Sequence, residues 1–252
     1  SGNETGALLL EYICSQRTEK GTMPENPVAV KTIVSTALAD RIAEDYGVEI
    51  INVLTGFKFI GEQIGFLEKK GEENRYIFGF EESYGYLAGS YVRDKDAVVA
   101  SMLICEMAAY YRTKGISLLQ ARENLYNKYG QYVHSQESFQ FEGASGMEKM
   151  QNIMTSLRNT HPSEIAGLKV VEFADYLTSK KKNISEGTVS EITLPKSDVL
   201  SFQLEGGAGV IIRPSGTEPK IKAYYTTKAD KRSDAVALES KISQDFRKIL
   251  GI

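Results

Sequence analysis

Residues 213–220, RPSGTEPK, place charged, hydroxyl and conformationally special residues between two apolar stretches. Arg213 offers a permanently charged fork of donors that can bind an anion through two parallel hydrogen bonds. Ser215 and Thr217 add hydroxyl donors, and Gly216 allows backbone amides to approach a ligand closely. This set of donors suits a phosphate group, so the segment is a candidate phosphate-binding loop.

A purely structural explanation of this segment is a capped hairpin turn in which Arg213 pairs with Glu218, and the spacing leaves both explanations open. A nucleotide-binding loop is not indicated, because the pattern GxxxxGK[ST] is absent. Residues 206–210, GGAGV, also lack the full GxGxxG pattern and are more simply a turn before a strand. The sequence therefore gives little support to ATP or NAD as a ligand.

A second candidate site is residues 79–85, GFEESYG, which follow a predicted strand. In α/β proteins, ligands usually bind at the carboxyl ends of the strands. Glu81 and Ser83 would lie on the same side of an extended loop, where they would offer an acceptor and a donor to neighbouring sugar hydroxyls. The competing explanation is that the paired glutamates only solvate the loop.

Tyrosines accompany this segment, namely Tyr84, Tyr86 and Tyr91. Their rings could pack on the face of a sugar, although tyrosines at such positions are more often at a sheet edge or in a core. Further along, Asp94 and Asp96 precede an apolar run and are expected to cap the N-terminus of a helix. A metal site built on this pair is a weaker alternative, because further ligands are not evident.

Three segments, in this order and spacing, resemble the α-D-phosphohexomutase family of phosphoglucomutases and phosphomannomutases: TGFKF (55–59), GFEESYG (79–85) and RPSGTEPKIKAY (213–224). The resemblance covers essentially the whole chain and implies the third and fourth domains of that family. It implies a sugar-recognition α/β domain at 1–132, with helices packed on a mixed sheet. It further implies a smaller phosphate-binding α+β domain at 133–252.

The resemblance also implies roles for individual residues. It places sugar recognition on Glu81 and Ser83. Thr55 and Gly56 match a second loop that faces the sugar, and Lys95 matches a basic residue near the transferred phosphate. The phosphate-binding residues implied by the last motif are Arg213, Ser215, Gly216 and Thr217.

Enzymes of this family carry a phosphoserine loop in their first domain and an aspartate-rich DxDxDR loop for Mg²⁺ in their second. Neither a serine–histidine–asparagine–proline loop nor DxDxDR occurs in this chain. The resemblance therefore implies a substrate-binding part of a phosphohexomutase, with no catalytic or metal-binding residues of its own. Its cofactors and partners in the full-length enzyme would be Mg²⁺, a hexose 1,6-bisphosphate, a phosphosugar substrate and the N-terminal domains of the same polypeptide.

The activity implied for the parent enzyme is the interconversion of hexose 1-phosphate and hexose 6-phosphate. A fragment of a phosphopentomutase and a stand-alone phosphosugar-binding module are alternatives. A third alternative makes Ser83 or Ser215 itself the nucleophile. The helical pattern begins within a few residues of Ser1, which fits a part of a longer polypeptide.

Apolar periodicity places these loops on an α/β framework. Strands rich in β-branched residues are predicted at 28–36, 48–53 and 75–80, and they alternate with helical patterns. One helical pattern ends at Gly47, because glycine commonly terminates helices in the left-handed conformation. The pattern changes near residue 132, where we place the domain boundary, and it finishes with a hairpin and a helix.

The composition is globular, with 42% hydrophobic and 25% charged residues, and the net charge of −3 argues against a nucleic-acid partner. The longest apolar run, 97–111, is too short to span a bilayer and contains a glutamate, so a helix buried on most sides is expected. Cys14 and Cys105 are expected to be buried free thiols, which fits a reducing, cytoplasmic location. The lysine run 180–182 is expected to be a solvated loop, and no histidine or cysteine spacing predicts zinc.

Overall fold

The chain folds into two compact units, Ser1–Gly130 and Gln131–Ile252. The structure, a computed structural model, describes residues 1–143, 145–216 and 218–252. The boundary expected near residue 132 falls inside the first strand of the second unit. The fold class is confirmed: an α/β unit with a mixed sheet precedes an α+β unit.

The first unit packs helices on a mixed sheet. Its helices are α1 (Gly2–Glu19), α2 (Leu38–Tyr46), α3 (Phe57–Glu68), α4 (Ala97–Thr113) and α5 (Leu118–Tyr129). Its strands are β1 (Val28–Thr32), β2 (Glu49–Val53), β3 (Tyr76–Glu81) and β4 (Gly85–Leu87). The strand order is β2-β1-β3-β4, with β1 parallel to β2 and β3, and β4 antiparallel to β3. The carboxyl ends of β1, β2 and β3 therefore lie at one edge.

Local sequence explains why these elements begin and end where they do. All five residues of β1 are buried, as expected for a strand covered on both faces. Helix α1 begins after Ser1, whose hydroxyl accepts from the backbone N–H of Glu4 in a capping box. Helix α2 ends at Gly47, which has a φ of +65°, so the predicted helix end is confirmed.

The expectation of a helix buried on most sides at 97–111 is wrong. In α4, Ala100 and Met107 are buried, whereas the side chains of Val98 and Met102 are 80% and 57% exposed. The apolar side chains of α4 point to all sides of the helix, but only part of its circumference packs on β4, α1 and α5. Cys105 lies on the exposed part, so only one of the two thiols, Cys14, is buried as expected.

The second unit covers one face of an antiparallel sheet with two helices of the described chain, α6 (Gly146–Asn159) and α7 (Arg232–Leu250). Its strands are β5 (Gln131–Gln140), β6 (Glu164–Ile165), β7 (Leu168–Asp175), β8 (Lys180–Asn183), β9 (Thr188–Glu191), β10 (Leu200–Leu204), β11 (Gly209–Pro214) and β12 (Lys220–Ala229). The order is β5-β12-β11-β10-β7-β8-β9, and β6 pairs with β7. The chain's final hairpin therefore lies between β5 and β10.

The lysine run 180–182 belongs to strand β8, so the expected solvated loop is wrong. Lys181 pairs with Ala174 of β7 in register, and its Nζ lies 3.3 Å from the carboxylate of Glu172. Cross-strand pairing with β7 outweighs the low strand propensity of lysine.

None of the helices in the described ranges has the length and apolar character needed to cross a membrane.

Phe246 is a central residue of the second unit's core, and its substitution tests how that core is packed. Its fully buried ring has its centroid 5.9 Å from that of Phe202 and 6.2 Å from that of Tyr225. Phe246→Ala should lower the free energy of unfolding by about 3–5 kcal/mol, because it removes these contacts and leaves a cavity. Val236→Ala, at a 43% exposed position of the same helix, should change it by less than about 0.5 kcal/mol. Chemical denaturation compares the two variants, and equal losses would contradict this packing of α7.

Candidate functional site

A buried carboxylate at the end of β3 connects two loops of the first unit. Glu81 is 8% exposed, and its Oε1 accepts a hydrogen bond from the backbone N–H of Gly56 at 2.7 Å. Gly56 precedes α3 and has a φ of +120°, which side-chain-bearing residues rarely adopt. The bond joins the segment after β2 to the last residue of β3 at the carboxyl edge of the sheet.

Gly85 marks the point where the site's side chains converge. A methyl group placed on Gly85 would lie 3.1 Å from Cδ2 of Phe57, 3.2 Å from Oε2 of Glu81 and 3.4 Å from Cδ of Lys95. The Nζ of Lys95 lies 5.8 Å from the centroid of the Phe57 ring and 3.1 Å from the carboxylate of Asp94. The structure therefore brings Glu81 and Lys95, predicted from separate segments, to one place.

The remaining predicted sugar residues lie beside this point. Thr55 directly precedes Gly56 and is half-buried, and Ser83 is exposed in the turn between β3 and β4. Glu82 in the same turn is half-buried, and its Oε2 accepts from Oγ1 of Thr32 at 3.2 Å. The two glutamates thus hold their surroundings together and do more than solvate a loop.

Asp96 caps helix α4, as predicted. Its Oδ1 accepts from the backbone N–H groups of Val98 and Val99, and its Oδ2 accepts from the hydroxyl of Tyr91 at 2.6 Å. The hydrogen bond to Asp96 raises the pKa of Tyr91 to about 12, and the same bond lowers the pKa of Asp96. Asp94 instead accepts from the backbone and side chain of Lys95. Across the described residues, His, Cys, Asp and Glu form no group of three that could hold a metal.

Lys31 is a charged residue near this edge that the sequence reasoning passed over. It lies in β1, is 4% exposed and has its Nζ 3.1 Å from the carboxylate of Asp40. Burial lowers the pKa of Lys31, and Asp40 opposes that shift. The sequence feature that could have pointed to Lys31 is a lysine within the predicted buried strand VAVKT.

The second unit builds the RPSGTEPK turn between β11 and β12. The backbone N–H of Ser215 donates to the carbonyl of Lys220 at 2.7 Å, which closes the turn. Inside it, the N–H of Glu218 donates to Oγ of Ser215, and the carboxylate of Glu218 pairs with Nζ of Lys220 at 2.7 Å. The pair with Lys220 lowers the pKa of Glu218. Gly216 is exposed, and Thr217 lies outside the described residues.

Arg213 shares its face of the sheet with a second cation. It is opposite Lys222 in the register of β11 and β12, and Lys222 is opposite Ser138 of β5. Cross-strand partners point to the same face, and the neighbouring pair Ile212 and Ala223 points into the core on the other face. Two half-buried cations and a hydroxyl therefore form a row that suits an anion, and Lys222 was missed as a member.

The start of α6 supports the base of this turn. The N–H of Phe141 donates to the carbonyl of Pro219 at 2.8 Å. A methyl group on Gly146 would lie only 2.6 Å from the carbonyl oxygen of Phe141 and 3.2 Å from Cβ of Pro219. Gly146, Ser138 and Lys149 also line a cavity of about 570 Å³. Close backbone packing thus fixes the end of the turn where it enters β12.

Comparison with known proteins identifies the class of domain. Residues 1–129 match the family model described as "Phosphoglucomutase/phosphomannomutase, alpha/beta/alpha domain III". The chain therefore belongs to the phosphoglucomutase/phosphomannomutase family.

Relatives extend the match into the second unit. The chain is 41% identical over 230 residues to a phosphoglucomutase of Staphylococcus epidermidis, a match that covers 91% of this chain and 41% of that protein. It is 40% identical over 234 residues to a phosphoglucomutase of Staphylococcus aureus, covering 93% and 41%. The chain thus spans about two-fifths of the length of the curated relatives it matches.

Solved structures support the fold. The open form of the Paramecium phosphoglucomutase parafusin superposes with a TM-score of 0.64 at 18% identity, covering 100% of this chain and 42% of that one. A phosphoglucomutase/phosphomannomutase family protein from Burkholderia thailandensis gives a TM-score of 0.56 at 15% identity, covering 97% and 41%. The α/β fold followed by the α+β fold is therefore shared with this family.

The convergence at Gly85 predicts that a methyl group there would be crowded. Gly85→Ala should lower the free energy of unfolding by about 1–3 kcal/mol, because the Phe57 ring and the Glu81 carboxylate would have to give way by a few tenths of an ångström. Gly65→Ala is the matched control: a methyl there meets nothing within 4 Å, and alanine should stabilise α3 by up to about 1 kcal/mol. Urea denaturation measures both, and a neutral Gly85→Ala would show that the side chains do not converge there.

Proposed function

We propose that this chain is the substrate-binding part of a phosphohexomutase that interconverts hexose 1-phosphate and hexose 6-phosphate. The observation that carries the proposal is the hydrogen bond from Gly56 to Glu81, which joins two loops that resemble the family's sugar-recognition loops.

Two free cysteines are compatible with the cytoplasmic location that we expect.

In the first unit, Glu81 and Ser83 bind hydroxyls of the sugar. Glu81 uses Oε1 to hold Gly56, so its Oε2, on the side of Gly85, is the atom assigned to the ligand. Ser83 is exposed in the turn and can donate or accept. Thr55 and Gly56 position the facing loop. Lys95, whose side chain is 56% exposed, supplies positive charge near a phosphate.

In the second unit, the RPSGTEPK turn binds the phosphate that is not reacting. Arg213 and Lys222 supply charge on one face of the sheet, and Ser215 and Gly216 supply donors at the tip. Thr217 joins this set by its place in the motif. Charge-assisted hydrogen bonds of this kind are about twice as strong as neutral ones.

In the parent enzyme implied by the family, a phosphoserine donates its phosphoryl group to a sugar phosphate. The resulting hexose 1,6-bisphosphate turns and returns its other phosphate to the serine. Such transfers depend chiefly on positioning and charge neutralisation, and this chain supplies positioning. Mg²⁺ would neutralise charge in the parent, but the described residues offer it no ligand set, so it has no role in the steps assigned to this chain.

Two other functions are compatible with the same geometry. A phosphopentomutase would need a similar phosphate clamp and a similar pair of sugar contacts. A stand-alone phosphosugar-binding module would use both loops without any transfer. Tight binding of glucose 1-phosphate by this chain alone, in a cell that lacks the N-terminal domains of the enzyme, would favour the module.

The chain by itself should not turn over substrate. With glucose 1-phosphate, Mg²⁺ and glucose 1,6-bisphosphate, an assay coupled to oxidation of glucose 6-phosphate should show no activity above the blank, because the chain lacks the family's serine loop. Mass spectrometry after incubation with the bisphosphate should find Ser83 and Ser215 unphosphorylated. Robust activity, or a phosphate on either serine, would show that this chain carries a nucleophile.

Arg213→Ala should weaken binding of inorganic phosphate about 10- to 100-fold, because one charge-assisted interaction is lost. The midpoint of thermal unfolding should stay within a few degrees of wild type. Lys169→Ala, at an exposed position of β7, is the control and should leave the affinity unchanged. Isothermal titration calorimetry and thermal unfolding check both variants. A large loss of stability with unchanged affinity would support the structural turn in which Arg213 only holds the loop.

A further inference from the structure

The structure separates the three tyrosines around the GFEESYG segment. Tyr86 is 6% exposed, and its hydroxyl donates to the carbonyl of Gly2 at 3.0 Å, so it belongs to the core. Tyr91 donates to Asp96 at the cap of α4. Tyr84 is 67% exposed and directly follows Ser83. Tyr91 is also exposed, at 58%, but its hydroxyl is held by Asp96, so Tyr84 is the exposed tyrosine inside the turn that carries Ser83.

Tyr84 also has a costly backbone conformation. Residues 82–84 form a three-residue loop between the paired residues Glu81 and Gly85, and Tyr84 has a φ of +66°. Hairpins with such loops commonly need a left-handed residue at this position, and glycine or asparagine adopts it most easily. For a bulky residue the conformation is unusual, and its cost corresponds to roughly a 5- to 30-fold shift in the folded-to-unfolded ratio.

Contacts from both sides hold the turn in this conformation. A methyl group on Gly2 would lie 2.0 Å from the carbonyl oxygen of Glu82 and 3.0 Å from the backbone nitrogen of Tyr84, so α1 packs directly on the turn. On the other side, Thr32 donates to the Glu82 carboxylate at 3.2 Å. Thr32 is fully buried, so the core of the first unit positions this anchor. The fold therefore fixes the left-handed position independently of the residue that occupies it.

We propose that Tyr84 is a sugar-binding residue whose ring forms an apolar platform for the C–H face of the sugar, beside Glu81 and Ser83. This inference rests on the proposed function. Strained non-glycine residues cluster at functional sites, where the surrounding structure enforces the conformation and the side chain has a role that favours keeping it. A tyrosine ring presents a large, rigid apolar surface at low entropic cost, and the turn holds it next to polar groups that orient the sugar hydroxyls.

The test compares Tyr84→Asn and Tyr84→Phe with wild type, using glucose 1-phosphate and inorganic phosphate as probes. Tyr84→Asn should weaken binding of glucose 1-phosphate about three- to tenfold, the range of an aromatic packing contact. It should leave phosphate binding unchanged and keep or raise the midpoint of chemical denaturation. Tyr84→Phe should retain the affinity, and so should Phe66→Ala, which removes a 44% exposed ring on α3. In NMR spectra, ring-proton resonances of the bound sugar should shift upfield with wild type and Tyr84→Phe but not with Tyr84→Asn.

The outcomes separate this inference from the function beneath it. If wild type binds phosphate but shows no preference for glucose 1-phosphate, the proposed function is overturned and the platform with it. If wild type binds the sugar phosphate and Tyr84→Asn binds it equally well, the proposed function stands and the platform is wrong. A large loss of stability in Tyr84→Asn would also overturn the inference, because the tyrosine would then be a structural residue.

Discussion

The loops of the first unit depend on one buried carboxylate at the end of β3. Taking the Glu81 carboxylate out of water is costly unless it is hydrogen-bonded, and the amide of Gly56 provides the bond. Gly56 lies at the N-terminus of α3, where the partial positive charge of the helix also favours an anion. Since β1 lies between β2 and β3, the bond reaches across the end of the central strand and links segments that are distant in sequence.

The second unit reaches a charged site by a different route. Its cations are placed by the register of neighbouring antiparallel strands, which puts Arg213 and Lys222 on the face opposite the core. The turn that follows is closed by backbone hydrogen bonds and supported by the close approach of Gly146 to Phe141. In the first unit, the carboxylates of Glu81 and Glu82 hold the loops. In the second unit, backbone hydrogen bonds close the turn.

Sequence reasoning could predict the loops but not all their surroundings. GFEESYG and RPSGTEPK were identifiable because glycine, hydroxyl and charged residues interrupt apolar strands, and the strand and helix ends near them follow local rules, as at Gly47. Thr32 and Lys222 were not identified as parts of the sites, because their roles come from the pairing of strands. The expected burial of α4 was wrong for a related reason. A run of apolar residues shows which side chains could be buried, but it does not show which other elements pack against them.

Lys31 makes one contribution to the stability of the first unit that changes at alkaline pH. Because burial lowers its pKa below 10.5, the unfolded chain holds this proton more tightly than the folded chain does. Between the two pKa values the unfolded state therefore binds more protons, and the contribution of Lys31 to the free energy of unfolding rises with pH. Below that window both states are charged, and the folded state bears the cost of a buried ammonium group, offset in part by Asp40. The burial of Lys31, which Asp40 offsets only in part, thus makes this contribution to stability increase when the side chain loses its proton.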